Sequence, residues 1–167
     1  MAVNRFNILV GVGTIAVDGI DLGGTEGGVT VEKAVEVYEK EVDQMLDATD
    51  LVPTKFSLTV ESQLAEAALA NLKLAWNEKA AITEDANKRS LPIGLRQDLP
   101  EHVLVFKGKS PEGKDRTYTV YRAIQAESSG HGLKKNEKVV FPVKFRCLPD
   151  LARPLEEQYG LVEDSKV

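Results

Sequence analysis

The sequence predicts a mainly β fold with one flanking helix. Segments of period-two alternation recur along the chain, glycine, proline and Asp-Gly punctuation falls between them, and one Ala/Leu-rich stretch has helical spacing. The 167 residues suffice for a single core that buries roughly 70% of the unfolded surface. Hydrophobic residues make up 43% and charged residues 28%, the balance of a soluble globular protein, with no apolar run of about 18 residues to span a membrane. The start, MAVNRFNILV, lacks a basic-then-apolar leader, and Cys147 is the sole cysteine. Cytoplasmic synthesis without an intrachain disulfide is therefore expected.

Residues 8–17 are apolar at nearly every position apart from Gly11 and Gly13, which fall on one face of a strand. Asp18-Gly19 then predicts a two-residue hairpin turn, which needs positive φ at both centres. Gly23, Gly24, Gly27 and Gly28 predict a second corner. Two phosphate motifs are nearly spelled here. Gly11, Gly13 and Ala16 fit a dinucleotide fingerprint, but that motif must open a helix and the Asp-Gly turn intervenes. Gly23 to Thr30 resembles a P-loop, but Val29 occupies the lysine position. Turn chemistry accounts for both.

Val29, Val31, Val35 and Val37 predict a half-buried strand whose other face carries Glu32 and Glu36. Val31, Val35, Tyr38 and Val42 also fit a helix, but the valine, threonine and tyrosine content favours the strand. The alternation fades into an acidic loop expected over residues 39–53. Phe56, Leu58 and Val60 alternate as the next strand. Ser62 then suits an N-cap for a helix over 62–77, with Leu64, Ala68, Leu72 and Trp76 as its buried stripe.

Residues 83–101 read as a strand-poor excursion. A short strand over 102–106, a turn at Ser110 to Gly113, and a strand over 116–126 follow. In that last strand Tyr118, Val120 and Ile124 are expected on one face, with Arg122 as the exception. Val139, Phe141, Val143, Phe145 and Cys147 give the clearest alternation, and Pro142 in its midst argues for an edge or bulged position.

Residues 1–60 carry ten acidic and four basic side chains; residues 101–148 carry five and ten. Either both sets are solvated faces, or one end of a subunit meets the other end of the next. His102 and His131 are isolated, no second cysteine exists, and no nucleophile elbow or convergent carboxylate pair appears. No enzyme, metal or cofactor is expected. The acidic balance and 6% aromatic content argue against firm nucleic-acid binding.

The sequence resembles the phage tail tube proteins (major tail proteins). The likeness rests on Gly13-Thr-Ile-Ala-Val-Asp-Gly19, Asp21-Leu-Gly23, Gly27-Gly-Val-Thr-Val31, the arm with Asp43-Gln44, the 62–76 stretch and the closing Lys138 to Asp150 pattern. It covers the organisation from about residue 7 to 150 apart from residues 83–101; residues 1–150 are read as one domain and 151–167 as a C-terminal tail. The resemblance implies an antiparallel β-sandwich or partly closed barrel, assembled in hexameric rings that stack as a tube. It makes Glu41, Val42, Asp43, Gln44, Met45, Leu46, Asp47 and Asp50 an inter-ring contact loop, and Glu32 and Glu36 candidates for the lumen lining. The implied partners are copies of itself, with sheath, tape-measure and tail-terminator proteins. DNA is implied only as non-specifically passed cargo, the virion tail as the location, and the host cytoplasm as the place of assembly. A tail-derived secretion or injection tube is the alternative; a monomeric β-sandwich ligand-binding module is the alternative of another class.

Overall fold

The computed structural model describes residues 13–41, 50–95, 98–127 and 129–166. Its first hairpin joins β1 (Thr14–Val17) to β2 (Ile20–Asp21), and Asp18 and Gly19 have φ of 51° and 80° as that turn requires. The Asp18 carboxylate accepts from the Val103 N–H at 2.8 Å and lies 2.7 Å from His102 Nδ1, which fastens the turn to a strand far along the chain. Asp18→Ala should destabilise by about 2 kcal/mol, since alanine loses both contacts and strains at positive φ. Asp18→Asn, which tolerates that backbone and can still accept from Val103, should cost less; urea midpoints at constant slope measure both.

The other strands are β3 (Thr25–Lys40), β4 (Asp50–Leu64), β5 (Thr83–Glu84), β6 (Arg89–Ser90), β7 (His102–Lys109), β8 (Asp115–Gln125), β9 (Phe141–Cys147) and β10 (Gly160–Asp164). The main sheet is antiparallel, in the order β2-β1-β7-β8-β9-β4-β3, and β10 joins β8 beyond the end of β9. Leu22 to Gly24 carry the chain from β2 into β3, and the Ala65 N–H donates to Gly24 O at 2.9 Å. The two ends of the strand order therefore meet at the glycine corner, and the sheet curls into a partly closed barrel. Gly27 and Gly28, at φ of 74° and 77°, absorb a register shift between Glu26 and Val29.

The inner face buries Ile15, Val60, Leu64, Leu104 and Phe145 completely. All of the expected alternation in β9 is there: Phe141, Val143, Phe145 and Cys147 are buried, with Val139 packed against them. Pro142 lies opposite Gln63 of β4, before pairing with β8 begins at Phe145. Its carbonyl accepts from Ser129 Oγ at 2.6 Å, so this part of β9 has strand pairing on one side only, the edge-like position that proline tolerates.

Four expectations are corrected. The helix is α1 (Leu69–Ala75), and Ser62 belongs to β4, where its Oγ donates to Gly28 O at 2.9 Å. Residues 61–64 pair with both β3 and β9, and those two ladders outweigh local helix propensity. The helix consequently buries Asn71, Leu74 and Ala75 instead of the 64-68-72-76 stripe. In β8 two residues of β7, from His102 to Leu104, span three of β8, from Ala123 back to Val120. That bulge reverses the parity, so Ala123 and Gln125 are buried in place of Ile124, and Arg122 turns out to Glu101.

The loop expected over 39–53 is shorter, because Glu39 and Lys40 pair with Leu51 and Asp50 as a continuing ladder. Residues 151–167 are more than a tail: Leu155–Glu157 form a 3-10 turn and β10 completes the sheet. Gly160 permits this, since a Cβ there would lie 2.2 Å from Thr119 O.

Buried amides join the layers. Asn71 Nδ2 donates to Leu22 O and Glu66 O, both at 3.0 Å. Gln125 Nε2 reaches Ala75 O at 3.3 Å while its Oε1 accepts from the Lys144 N–H at 2.7 Å. Burial also pushes the Cys147 thiol up to about 12, from an ordinary value of 9.0. Between those values the unfolded chain ionises first, so this group makes stability fall as pH rises from about 9 toward 12. Native protein should accordingly leave Cys147 unlabelled by a thiol reagent at pH 8, and full labelling should appear only in denaturant; fast native labelling would contradict the burial.

Candidate functional site

The hairpin of β3 and β4 projects beyond the core that supports the rest of the sheet. Among the described residues β3 ends the strand order and pairs only with β4, so its other edge carries no ladder partner there. Such an edge invites pairing with a further strand unless something covers it. The described residues also leave the valine face largely uncovered: Val35 and Val37 are each 48% exposed, and on the opposite face Tyr38 is 63% exposed. The half-buried strand read from the sequence thus has its alternation, yet the described residues supply little to bury its apolar side at Val35 and Val37. Lys33 interrupts the valines, with its ammonium 5.3 Å from the Phe56 ring centroid.

Glu32 and Glu36 lie on the opposite face, as their alternation predicts. Glu32 pairs in register with Thr59, and Glu36 with Lys55, whose ammonium is 2.7 Å from the Glu36 carboxylate. Lys144 sits on this same face, across from Glu61 on the neighbouring strand, and contacts Glu61 at 2.7 Å and Glu127 at 3.2 Å. Both carboxylates raise the Lys144 pKa, Glu61 first.

Of the expected contact-loop residues, Glu41 is exposed just past β3, and Asp50 opens β4 with its carboxylate 3.2 Å from Lys40 Nζ. Val42, Asp43, Gln44, Met45, Leu46 and Asp47 lie outside the described residues.

Sequence reasoning missed a second group of charged contacts around β8. Arg116 makes a two-point contact with Asp164 of β10 at 2.6 and 2.7 Å, and its hydrogen bonds hold that carboxyl below its usual range. Arg122 does the same to Glu101 at 2.8 and 2.7 Å and also donates to Pro149 O at 2.8 Å. Arg122 thereby lowers the Glu101 pKa. Since both carboxyls are depressed, their contributions are lost as pH falls through the folded values. These pairs bind the C-terminal segment and the 101 region to β8; the basic second half, expected to meet a neighbour, spends part of its charge within the chain.

His131, isolated in the sequence, is half-buried. It stacks on Trp76 with centroids 5.6 Å apart and meets Phe141 edge-on at 4.8 Å. Among the described residues, no group of three or more His, Cys, Asp or Glu side chains is disposed to hold a metal ion.

An apolar groove of about 670 Å³ separates β10 from the β3–β4 stem and is lined by Val31, Phe56, Leu58, Tyr118 and Tyr159. Phe56 and Tyr159 approach to 4.5 Å between centroids across it.

No protein-family model matches the sequence, and no curated protein does. Among solved structures, the chain is similar to one from the cryo-EM structure of an extracellular contractile injection system, the PVC sheath-tube complex in its extended state. The TM-score is 0.55 at 10% identity, covering 96% of this chain and 94% of that one. A chain of the anti-feeding prophage (AFP) baseplate aligns at TM-score 0.49 and 12% identity, over 93% of this chain and 91% of that one. At such identity the PVC likeness is one of fold: this chain is built like a component of a contractile injection system's sheath-tube complex.

Proposed function

We propose that this protein is a structural, non-catalytic tube subunit. Copies join through their sheet edges in hexameric rings, and the rings stack around a conduit. The observation that carries this reading is the edge of the 16-residue β3 that pairs with no strand among the described residues, together with the exposed valines beside it. A neighbour's strand would satisfy the edge and cover the apolar face at once. The whole-chain similarity to a component of the PVC sheath-tube complex supports the same role.

That similarity favours the tube of a contractile injection or secretion machine, with a sheath outside it. The sequence resemblance to phage tail tube proteins favours a virion tail, assembled in the host cytoplasm, in which DNA is passing cargo and tape-measure and terminator proteins are further partners. One subunit design serves either machine. In both, the segment between β3 and β4 reaches an adjacent ring, with Glu41 and Asp50 at its base and Val42, Met45 and Leu46 as its apolar contacts.

Electron microscopy of the purified protein at high concentration tests the reading, with rings or tubes expected. A strictly monomeric protein under all assembly conditions contradicts it and leaves the monomeric ligand-binding module as the better account. Deleting residues 45–50 should preserve folding and ring formation while suppressing stacking, seen as short or single rings. Normal tube lengths from that variant would refute the bridging role.

A further inference from the structure

The barrel wall is incomplete between β10 and the β3–β4 stem. β9 pairs with β4 only over residues 59–64, and β10 pairs only with β8. Among the described residues, therefore, neither residues 50–58 of β4 nor the outer edge of β10 has a ladder partner on the side of the groove. The groove of about 670 Å³ runs between those two edges into the core, since Phe106 and Val120, only 5% and 4% exposed, line it together with Leu58 and Tyr118. Its size and apolar lining are those of a site that takes an occupant. The two unpaired strand edges beside it supply the backbone donors and acceptors that an extended peptide segment uses.

Residues 1–12 lie outside the described residues, and their sequence suits this groove. Phe6, Ile8, Val10 and Val12 alternate as one apolar face at even positions, whereas β1 buries the odd positions Ile15 and Val17. Continued backward in the register of β1, the chain would turn Asn7 and Leu9 inward and Phe6, Ile8 and Val10 outward, so that apolar face needs a different surface to cover it. Gly13 ties the described start of the chain to β7, where a Cβ would lie 2.8 Å from Lys107 O. Ile15 is in register with Phe106, Phe106 with Tyr118, and Tyr118 with Val162, which puts three groove residues in one row. The described chain thus begins two residues from that row. The three strand spacings from β1 to β10 amount to roughly 15 Å, and twelve residues reach about 40 Å when extended. Arg5 is the one charged residue of the segment, and Glu156 is the one carboxylate among the described residues lining the groove; Lys33, its one cation there, is held over the Phe56 ring. We propose that residues 1–12 cover the groove of their own chain as an extended segment, with Phe6 and Ile8 turned into it. The contact belongs to the single chain and holds whether or not copies assemble.

Photo-crosslinking from position 6 of the full chain provides the test. p-Benzoylphenylalanine in place of Phe6 keeps an aromatic side chain there, and irradiation at a dilution where sedimentation shows single chains joins it to a neighbouring C–H group. The product should run as one chain on a denaturing gel, and peptide mass mapping should place the new bond at Leu58, Tyr118, Tyr159 or Val162. Bonds found only in products that run as two chains give the groove to a second copy, bonds to surfaces away from the groove put the segment elsewhere, and no bond at all leaves the segment in water. Each of these overturns the proposal. Phe6→Ser combined with Ile8→Ser removes the apolar contacts without altering any described strand. The apolar-site dye ANS should then bind the uncovered groove, with a severalfold rise in fluorescence at an unchanged far-ultraviolet spectrum, whereas Phe6→Leu with Ile8→Val should stay close to the unmodified protein. Equal dye fluorescence in the serine variant and the unmodified protein overturns the proposal as well.

Discussion

Phe145→Ala should lower the unfolding free energy by about 3 to 5 kcal/mol, the range for removing a fully buried phenylalanine. Domain stabilities are about 5 to 15 kcal/mol, so this one change removes a large share of the total. Phe145 is 0% exposed and lies where three strands meet: it pairs with Val60 of β4 on one side and Gln125 of β8 on the other, and the His102 ring meets its edge at 6.4 Å. The cavity would open among residues held by ladders on both sides, which limits collapse. A melting-temperature drop on the order of 10 °C follows for a domain of this size, and calorimetry with urea titration measures it. Phe56→Ala is the contrast. Phe56 is only partly buried and borders the open groove, so its loss leaves less enclosed void and should cost less. Equal losses at the two sites would contradict the placement of the core on the β4–β9–β8 face.

The same junction shows which parts of the fold are legible in the sequence. The alternation of β9 is a property of its own seven residues, and local spacing reads it correctly. The Asp18-Gly19 turn is likewise local, because positive φ is a demand on those two residues alone. The start of the helix is not local. Residues 61–64 have helix-forming neighbours, and only pairing with two distant strands makes them β. The parity change in β8 depends on β7, and β10 is hidden because the reason for Gly160 is the Thr119 carbonyl about forty residues earlier. The candidate site divides in the same way. Alternation puts Glu32 and Glu36 on a face opposite the valines, whereas the cations that share this face come from β4 and β9, so its near-neutrality appears only in three dimensions.

Val35→Asp combined with Val37→Asp should abolish tube formation while leaving a folded monomer. Both valines sit on the last strand of the sheet and are about half exposed, so the monomer loses little burial and its melting temperature should move by only a few degrees. In the proposed assembly these side chains are the ones a neighbour covers. Burying a valine completely contributes about 1.5 to 3 kcal/mol, and the half still exposed in the monomer is about 1 kcal/mol for each. An aspartate forced into the same contact adds the cost of desolvating an unpaired charge, typically several kcal/mol. Together these exceed about 3 kcal/mol per contact, a factor of more than about 100 in each association step, and ring closure repeats the penalty at every subunit boundary. Size-exclusion chromatography and negative-stain images at matched concentration read the result. Val35→Thr with Val37→Thr keeps β-branching and neutrality, and should assemble less well than the unmodified protein but better than the aspartate pair. Normal tubes from the aspartate variant would show that this face stays in water after assembly, and the open edge of β3 would then need a different partner.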